Sequence, residues 1–376
     1  MIKYIIKKNL IIGFLSFIFF IAVGQQLYKL YFVFLQNNFV DFNVYLNSVL
    51  LALTQGDVYA PLKTTVQAIP FNYPPTSLIF FLGLTIFPKT ITLFVFVLFS
   101  IASLLITVWL LTQILFIRSK KLYAFLLFSI CFIQYFPTKF TLTLGQINLM
   151  ILLLVTAVYY LFRKNKELLS GFILGIATVI KIFPIFLIFF FIKEKKWKTI
   201  ISFTSTLLCC LLLTVLLFKP VLVYSYFGLI GKNLFLNAGD ISYFDQSLNS
   251  FLLRLHFTFM IRLIFRVIIT GTSLFVFLKT KDKMLSFFGL IFSVLIFLPS
   301  FAWFHHYVIL IPLIIMLWSK TRPGMEKVLL VCIYVLTSLH FRNPELFPGP
   351  NIWLYSHPFF GACLLWFFAV KKALDK

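Results

Sequence analysis

Lysines and arginines arrive in this chain as short knots, and long apolar runs separate the knots. The knots are Lys3/Lys7/Lys8, Arg118/Lys120/Lys121, Arg163/Lys164/Lys166, Lys193/Lys195/Lys196/Lys198, Lys279/Lys281/Lys283 and Lys371/Lys372/Lys376. Residues 10–22, 91–117, 147–162 and 199–218 are almost wholly apolar. Runs of this kind approach or exceed the ~20 residues that cross a ~30 Å hydrocarbon core. A bilayer admits helices because they satisfy their own backbone, and it keeps basic loops on the cytoplasmic side. The pattern therefore predicts an all-α, polytopic membrane protein in one unit over 1–376. Ten to twelve spans are expected, an even number, with both basic ends cytoplasmic. Composition agrees: 61% of residues are hydrophobic and 11% charged, against about half and a quarter in soluble domains.

The net charge of +23 would suit a nucleic-acid binder, but its confinement to loop knots assigns it to topology and excludes that class. The basic start and apolar 10–23 mimic a signal peptide. No small-residue cleavage site follows, so a retained first helix is expected. The five cysteines lie within apolar stretches without metal-ligand spacing, and read as small buried hydrophobes.

The polar residues concentrate in two places, which should lie on the outer side. The first outer loop, about 36–74, holds Asp41, Asp57, Tyr59 and Tyr73. Within it, 41–53 reads as an interfacial helix. Phe42, Leu46, Val49, Leu50 and Leu53 share its apolar face, and Asp41, Tyr45 and Ser48 its polar one. The second region, about 231–256, holds Asn233, Asn237, Asp240, Asp245, Gln246 and Asn249. Lys181 poses a separate problem, because it falls midway between the knots at Lys166 and Lys193. A single span would bury it at a cost of at least ~2.5–3.5 kcal/mol and send the second knot outside. A pair of short helices turning near Lys181 and Pro184 keeps both knots on one side.

A chain without a soluble domain or a Gly-rich phosphate loop has no place for a nucleotide fold. Outer-face chemistry then needs an activated substrate carried in the lipid, a base for the acceptor and cations for the leaving phosphate. Asp41 suits the first role and Lys181 the second. At this point the chain resembles glycosyltransferase family 87, in the GT-C superfamily of polyprenyl-phosphate-sugar-dependent membrane enzymes. The matching stretches are Asp41-Phe-Asn-Val-Tyr45, Gly56-Asp-Val-Tyr59, Phe71-Asn-Tyr-Pro-Pro75 and Leu142-Thr-Leu-Gly-Gln-Ile-Asn148. They continue with Gly175 to Pro184, Asp245-Gln-Ser-Leu-Asn249 and Trp303-Phe-His-His306. The resemblance implies a GT-C fold and inverting transfer of a hexose, mannose foremost, from a polyprenyl phosphate. The acceptor would be a lipid-linked or cell-envelope glycan on the outer face of the cytoplasmic membrane. It implies Asp41 as base. The donor-phosphate or substrate contacts would be Lys181, His305, His306, Tyr45, Asp57, Tyr59, Tyr73, Gln146, Asn148, Asp245 and Gln246. An Arabinose-type donor fits the same framework. The run Ser300-Phe-Ala-Trp303-Phe-His305 departs from the family's Ser-Trp directly before the histidines, and leaves both histidines as candidates.

Each residue also has a structural reading. Asp41 could be a helix N-cap, Asp57 a turn aspartate, and Lys181 a snorkelling boundary lysine. Gln146 and Asn148 could be amides joining helices, and Asp245 with Gln246 a helix cap. His256, His340 and His357 read as boundary residues. No metal or other cofactor is called for, since no ligand cluster is visible. The expected partners are membrane lipids, the donor and the glycan acceptor; no oligomeric state is implied. The rival functions are a flippase for lipid-linked sugars, expected to show internal repeats that are absent here, and a membrane scaffold.

Overall fold

The computed structural model describes residues 2–36, 39–54, 56–59, 71–235, 239–341 and 351–375. Among these residues the regular structure is helical, with one isolated bridge between Asp245 and Trp303. The chain runs through α1 (Ile2–Leu35), α2 (Val40–Leu53), α3 (Leu78–Phe81), α4 (Lys89–Leu115), α5 (Lys121–Gln134) and α6 (Phe136–Leu144). It continues as α7 (Asn148–Arg163), α8 (Glu167–Ile180), α9 (Ile188–Lys193), α10 (Trp197–Leu217), α11 (Val221–Phe235) and α12 (Leu248–Arg254). The last third comprises α13 (Phe259–Lys279), α14 (Lys283–Phe297), α15 (Leu310–Lys320), α16 (Met325–Ser338), α17 (Ile352–Tyr355) and α18 (His357–Leu374).

Among the described residues, four helices are long and apolar enough to cross a membrane: α1 from Asn9, α4, α10 and α13. The pair α5–α6, bent by 62°, makes a fifth. Pro137 in the first turn of α6 accounts for the bend, since it cannot continue the hydrogen-bond ladder of α5. The outer faces of α1, α10 and α13 present Phe14, Phe17, Phe20, Leu208, Leu212, Leu216, Ile264 and Ile268. A continuous apolar surface of that size has a lipid environment as its solvent. Shorter apolar helices, α7, α8 and α14 among them, complete the bundle. α14 is buried at every position from Met284 to Phe297 and forms the centre of the bundle.

The two ends of the bundle differ in chemistry. One end carries the four ion pairs found among the described residues. Glu167–Lys196 (2.9 Å), Glu194–Lys283 (2.5 Å), Asp282–Lys320 and Glu326–Lys372 (2.7 Å) tie the basic knots together. The expected hairpin around Lys181 is present. α8 and α10 run parallel, as Glu167 meets Lys196, Gly171 lies against Thr199 and Ser202, and Gly175 against Thr206. The segment between them must therefore return to the level where α8 began. A Cβ on Gly171 would sit 2.2 Å from the Thr199 carbonyl and one on Gly175 2.6 Å from Thr206 Cβ; their Gly-x-x-x-Gly spacing permits this close approach. Pro184 stops α8 at Ile180, because its ring would clash with the carbonyl four residues back. Lys181 is thereby delivered to the end of the bundle opposite the ion pairs.

Two expectations need correction. In α2 the polar face is the one turned inward: Tyr45 and Ser48 are wholly buried with Phe42 and Val49, while Leu50 and Leu53 are about half exposed. The helix packs on α3 and α6, and its Phe42 ring meets Phe96 of α4 edge-on. Of the cysteines only Cys210 is buried; Cys209 and Cys332 are exposed on outward helix faces.

Candidate active site

The site is assembled where α2 meets the turn between α6 and α7. Gly145 makes this meeting possible. It caps α6 in the left-handed region at φ 68°, and a Cβ there would lie 2.8 Å from Phe42 Cβ. The turn closes as Gln146 N–H bonds to Thr141 O (2.9 Å) and Gly145 N–H to Leu142 O (3.2 Å), the pairing of a Schellman motif. Gln146 is thereby placed beside the first turn of α2, which carries Asp41. Asp41 is not the N-cap; Phe39 holds that position without a side-chain bond.

Around Gln146 the side chains form a compact set. Its Oε1 accepts from the hydroxyls of Tyr45 and Tyr73, each at 2.9 Å, and the two hydroxyls are 2.8 Å apart. The amide also meets the Asp41 carboxylate, with the Lys181 charge acting on it. Asp41 lies outside the membrane-spanning segments, in a half-buried position. Burial pushes its carboxyl up to about 6, against the Gln146 hydrogen bond and the Lys181 charge, which favour the ionised form.

Lys181 lies on the other side of Tyr73, 5.4 Å from the ring centroid. Its Nζ donates to Asn148 Oδ1 at 2.5 Å and sits 3.2 Å from His306 Nε2. Asn148 Nδ2 in turn donates to the His305 carbonyl at 2.9 Å. An ammonium on Lys181 donating to Nε2 would set the His306 proton on Nδ1. Among the described residues neither His306 Nδ1 nor the buried His305 Nδ1 has a hydrogen-bond partner. His306 is the histidine joined to Lys181, while the ring of His305 stacks on Phe140.

Other anticipated residues lie in supporting positions. Asp57 accepts from the Tyr59 N–H (2.9 Å) and the Ser225 hydroxyl (2.6 Å), tying its turn to α11. Tyr59 donates its hydroxyl to the Tyr73 carbonyl at 2.6 Å. Asp245 Oδ1 accepts from the backbone N–H groups of Ser247 (2.9 Å) and Ala302 (3.0 Å). Gln246 donates to the carbonyls of Tyr243 (2.5 Å) and Tyr355 (2.7 Å). The N-cap of α12 is their neighbour Ser247, which accepts from Ser250 N–H. These bonds, with Gln246 N–H to Ala302 O and Phe304 N–H to Phe244 O, clamp the strand-like run that leads into His305. His357 is also interior, bonded to Tyr243 and to the Leu336 carbonyl. Sequence reasoning missed Arg266, whose guanidinium binds the Leu298 carbonyl and fixes the start of the same run. Its signal was an arginine inside an apolar helix. Asn237 lies outside the described residues. Among those described, no three His, Cys, Asp or Glu side chains gather as a metal site.

The model of glycosyltransferase family 87 matches residues 71–341. The chain belongs to that family. It is therefore a glycosyltransferase, and its match takes in Tyr73, Gln146, Asn148, Lys181 and both histidines; Asp41 stands upstream of it. Two relatives are polyprenol-phosphate-mannose-dependent alpha-(1-2)-phosphatidylinositol pentamannoside mannosyltransferases. The one from Mycolicibacterium smegmatis is 28% identical over 166 residues, 43% of this chain and 40% of that protein. The one from Mycobacterium tuberculosis is 24% identical over 362 residues, 90% of this chain and 80% of that protein. The glycosyltransferase thus spans less than half of the first relative and most of the second.

Proposed function

We propose that this family 87 glycosyltransferase moves mannose from a polyprenyl phosphate to a hydroxyl of a lipid-linked or envelope glycan. Transfer takes place on the outer face of the cytoplasmic membrane, at the end of the bundle away from the ion-paired knots. The observation that carries the reading is the gathering, at one end of the bundle, of Lys181 with Asn148, His306 and the Tyr73 ring, and of Tyr73 with Gln146 and Tyr45, one turn after Asp41 on α2. Asp41 takes the proton from the acceptor hydroxyl as its oxygen attacks the anomeric carbon. The bond from that carbon to the phosphate oxygen breaks, and the configuration inverts. Lys181 and the Nδ1–H of His306 stabilise the phosphate as it gains charge, the role in which fixed donors act most strongly. The mannose donor rests on the names of the two relatives, which state their own dependence on polyprenol-phosphate-mannose.

The test is to reconstitute the protein in bilayers with radiolabelled polyprenyl-phosphate mannose and envelope lipids, with GDP-mannose in parallel. Label moving into a glycolipid from the polyprenyl donor alone, with an anomeric configuration opposite to the donor's, is the expected result. Transfer from GDP-mannose, or retained configuration, would overturn the reading. Donor crossing the bilayer unconsumed would do the same.

A further inference from the structure

We propose that Tyr45 and Tyr73 are positioning residues for the transfer, whose hydroxyls lock the Gln146 amide so that its N–H groups face Asp41. The inference rests on Asp41 as base and adds to it the means by which that base is held. Three oxygens, those of the two hydroxyls and Gln146 Oε1, lie within 2.8–2.9 Å of one another. They share two protons, both belonging to the tyrosines, because an amide oxygen only accepts. With Oε1 receiving the hydroxyls, the amide nitrogen is turned away from them, and Asp41, one turn before Tyr45 on α2, is the carboxylate on which the amide acts. Rotating the amide by half a turn would set Oε1 against the carboxylate and deprive a hydroxyl of its acceptor inside a buried set.

The surroundings hold this arrangement still. Tyr45 is wholly buried, Tyr73 is 8% exposed and Gln146 5%. The Tyr45 ring stacks on Phe81 at 4.4 Å and 4°, and meets Tyr73 edge-on at 5.2 Å. The Tyr73 backbone is pinned by the Tyr59 hydroxyl at 2.6 Å. Both hydroxyl protons are engaged within the triangle, so neither is free to donate to a sugar. The tyrosines act through Gln146: they orient the amide, which bonds one side of the Asp41 carboxylate and leaves the other to the acceptor.

The experiment is the pH dependence of the transfer rate at saturating donor for Tyr45→Phe, Tyr73→Phe, the double variant and Gln146→Met, with donor affinity measured alongside. Either single variant leaves Oε1 one hydroxyl, and should move the rising limb by less than about half a pH unit. The double variant frees the amide and should raise the limb by about one unit, more than the singles add to, with donor affinity unchanged. Gln146→Met, close in volume, should match the double variant and shows the effect if the latter misfolds. A limb at the wild-type position in both the double and Gln146→Met would overturn the proposal. So would weakened donor binding with an unmoved limb, which would make the tyrosines substrate contacts. An Asp41→Asn enzyme that transfers with the wild-type pH profile would instead remove the base itself, an outcome separable from either.

Discussion

Asp41 and Asp245 both have carboxyls pushed up to about 6 by burial, and they engage their oxygens in different ways. Asp245 takes two backbone N–H groups and clamps the run leading into His305. Its partners cannot move without the fold moving. Asp41 is influenced by side chains instead, the Gln146 amide from the turn between α6 and α7 and, from further away, the Lys181 charge at the tip of the hairpin. The same perturbation thus accompanies a structural clamp in one place and the proposed base in the other. What separates them is whether the partners belong to the backbone or to side chains that a substrate could approach. A raised carboxyl alone would not have distinguished the two.

The comparison breaks first at Asp41. Asp41→Asn should lower transfer by about 10³-fold while donor still binds, since a general base contributes ~10²–10⁴. An equal fall in donor binding would make Asp41 a binding group. Lys181→Met, which keeps the stem and removes the charge, should cost about 10²-fold in transfer. Here donor affinity should fall too, read by titration with the unlabelled polyprenyl phosphate. Gly145→Ala forces a side chain into the left-handed region and onto Phe42. It should destabilise by about 2 kcal/mol in thermal unfolding and slow transfer by displacing Gln146 from Asp41.

Asp245→Asn should have the smallest effect, with transfer per folded molecule within about threefold of wild type, because the amide oxygen can still accept the two N–H groups. Its signature lies in stability. The folded value of Asp245, about 6, exceeds the ordinary 3.8. Its protonated form is therefore the stabilising one; that contribution is full below about pH 3.8 and is lost as pH rises through about 6. Melting temperatures between pH 4 and 7 should consequently vary less in Asp245→Asn than in wild type.

Much of this could be read from local pattern. The knots and apolar runs revealed the all-α membrane fold, and the charge rule with Pro184 revealed the hairpin and the placement of Lys181. Asp41, Gln146, Asn148, Lys181 and the histidine pair were named as candidates and are found together. Other features depended on partners far away in the chain. Tyr45 and Gln146 are 101 residues apart, and nothing near either shows that α2 turns its polar face to the protein. Asp57 finds Ser225 across 168 residues, a pairing an isolated serine in an apolar helix does not announce. Asp245 and Gln246 form a polar motif, and only the backbone of residues 298–304 shows that they clamp a loop. Gly171 and Gly175 were a readable signal in small-residue spacing, and they explain the close packing that carries Lys181 to the site.

The most direct test follows the rate of mannose transfer at saturating donor from pH 4.5 to 8, for wild type and Asp41→Asn in the same bilayers. Because a base acts when deprotonated, the wild-type rate should climb with pH and level off above about 6, the value to which burial raises Asp41. The variant should be at least about 100-fold slower and flat over that range. A rising limb near 6 that survives in Asp41→Asn would contradict the account and place the base elsewhere.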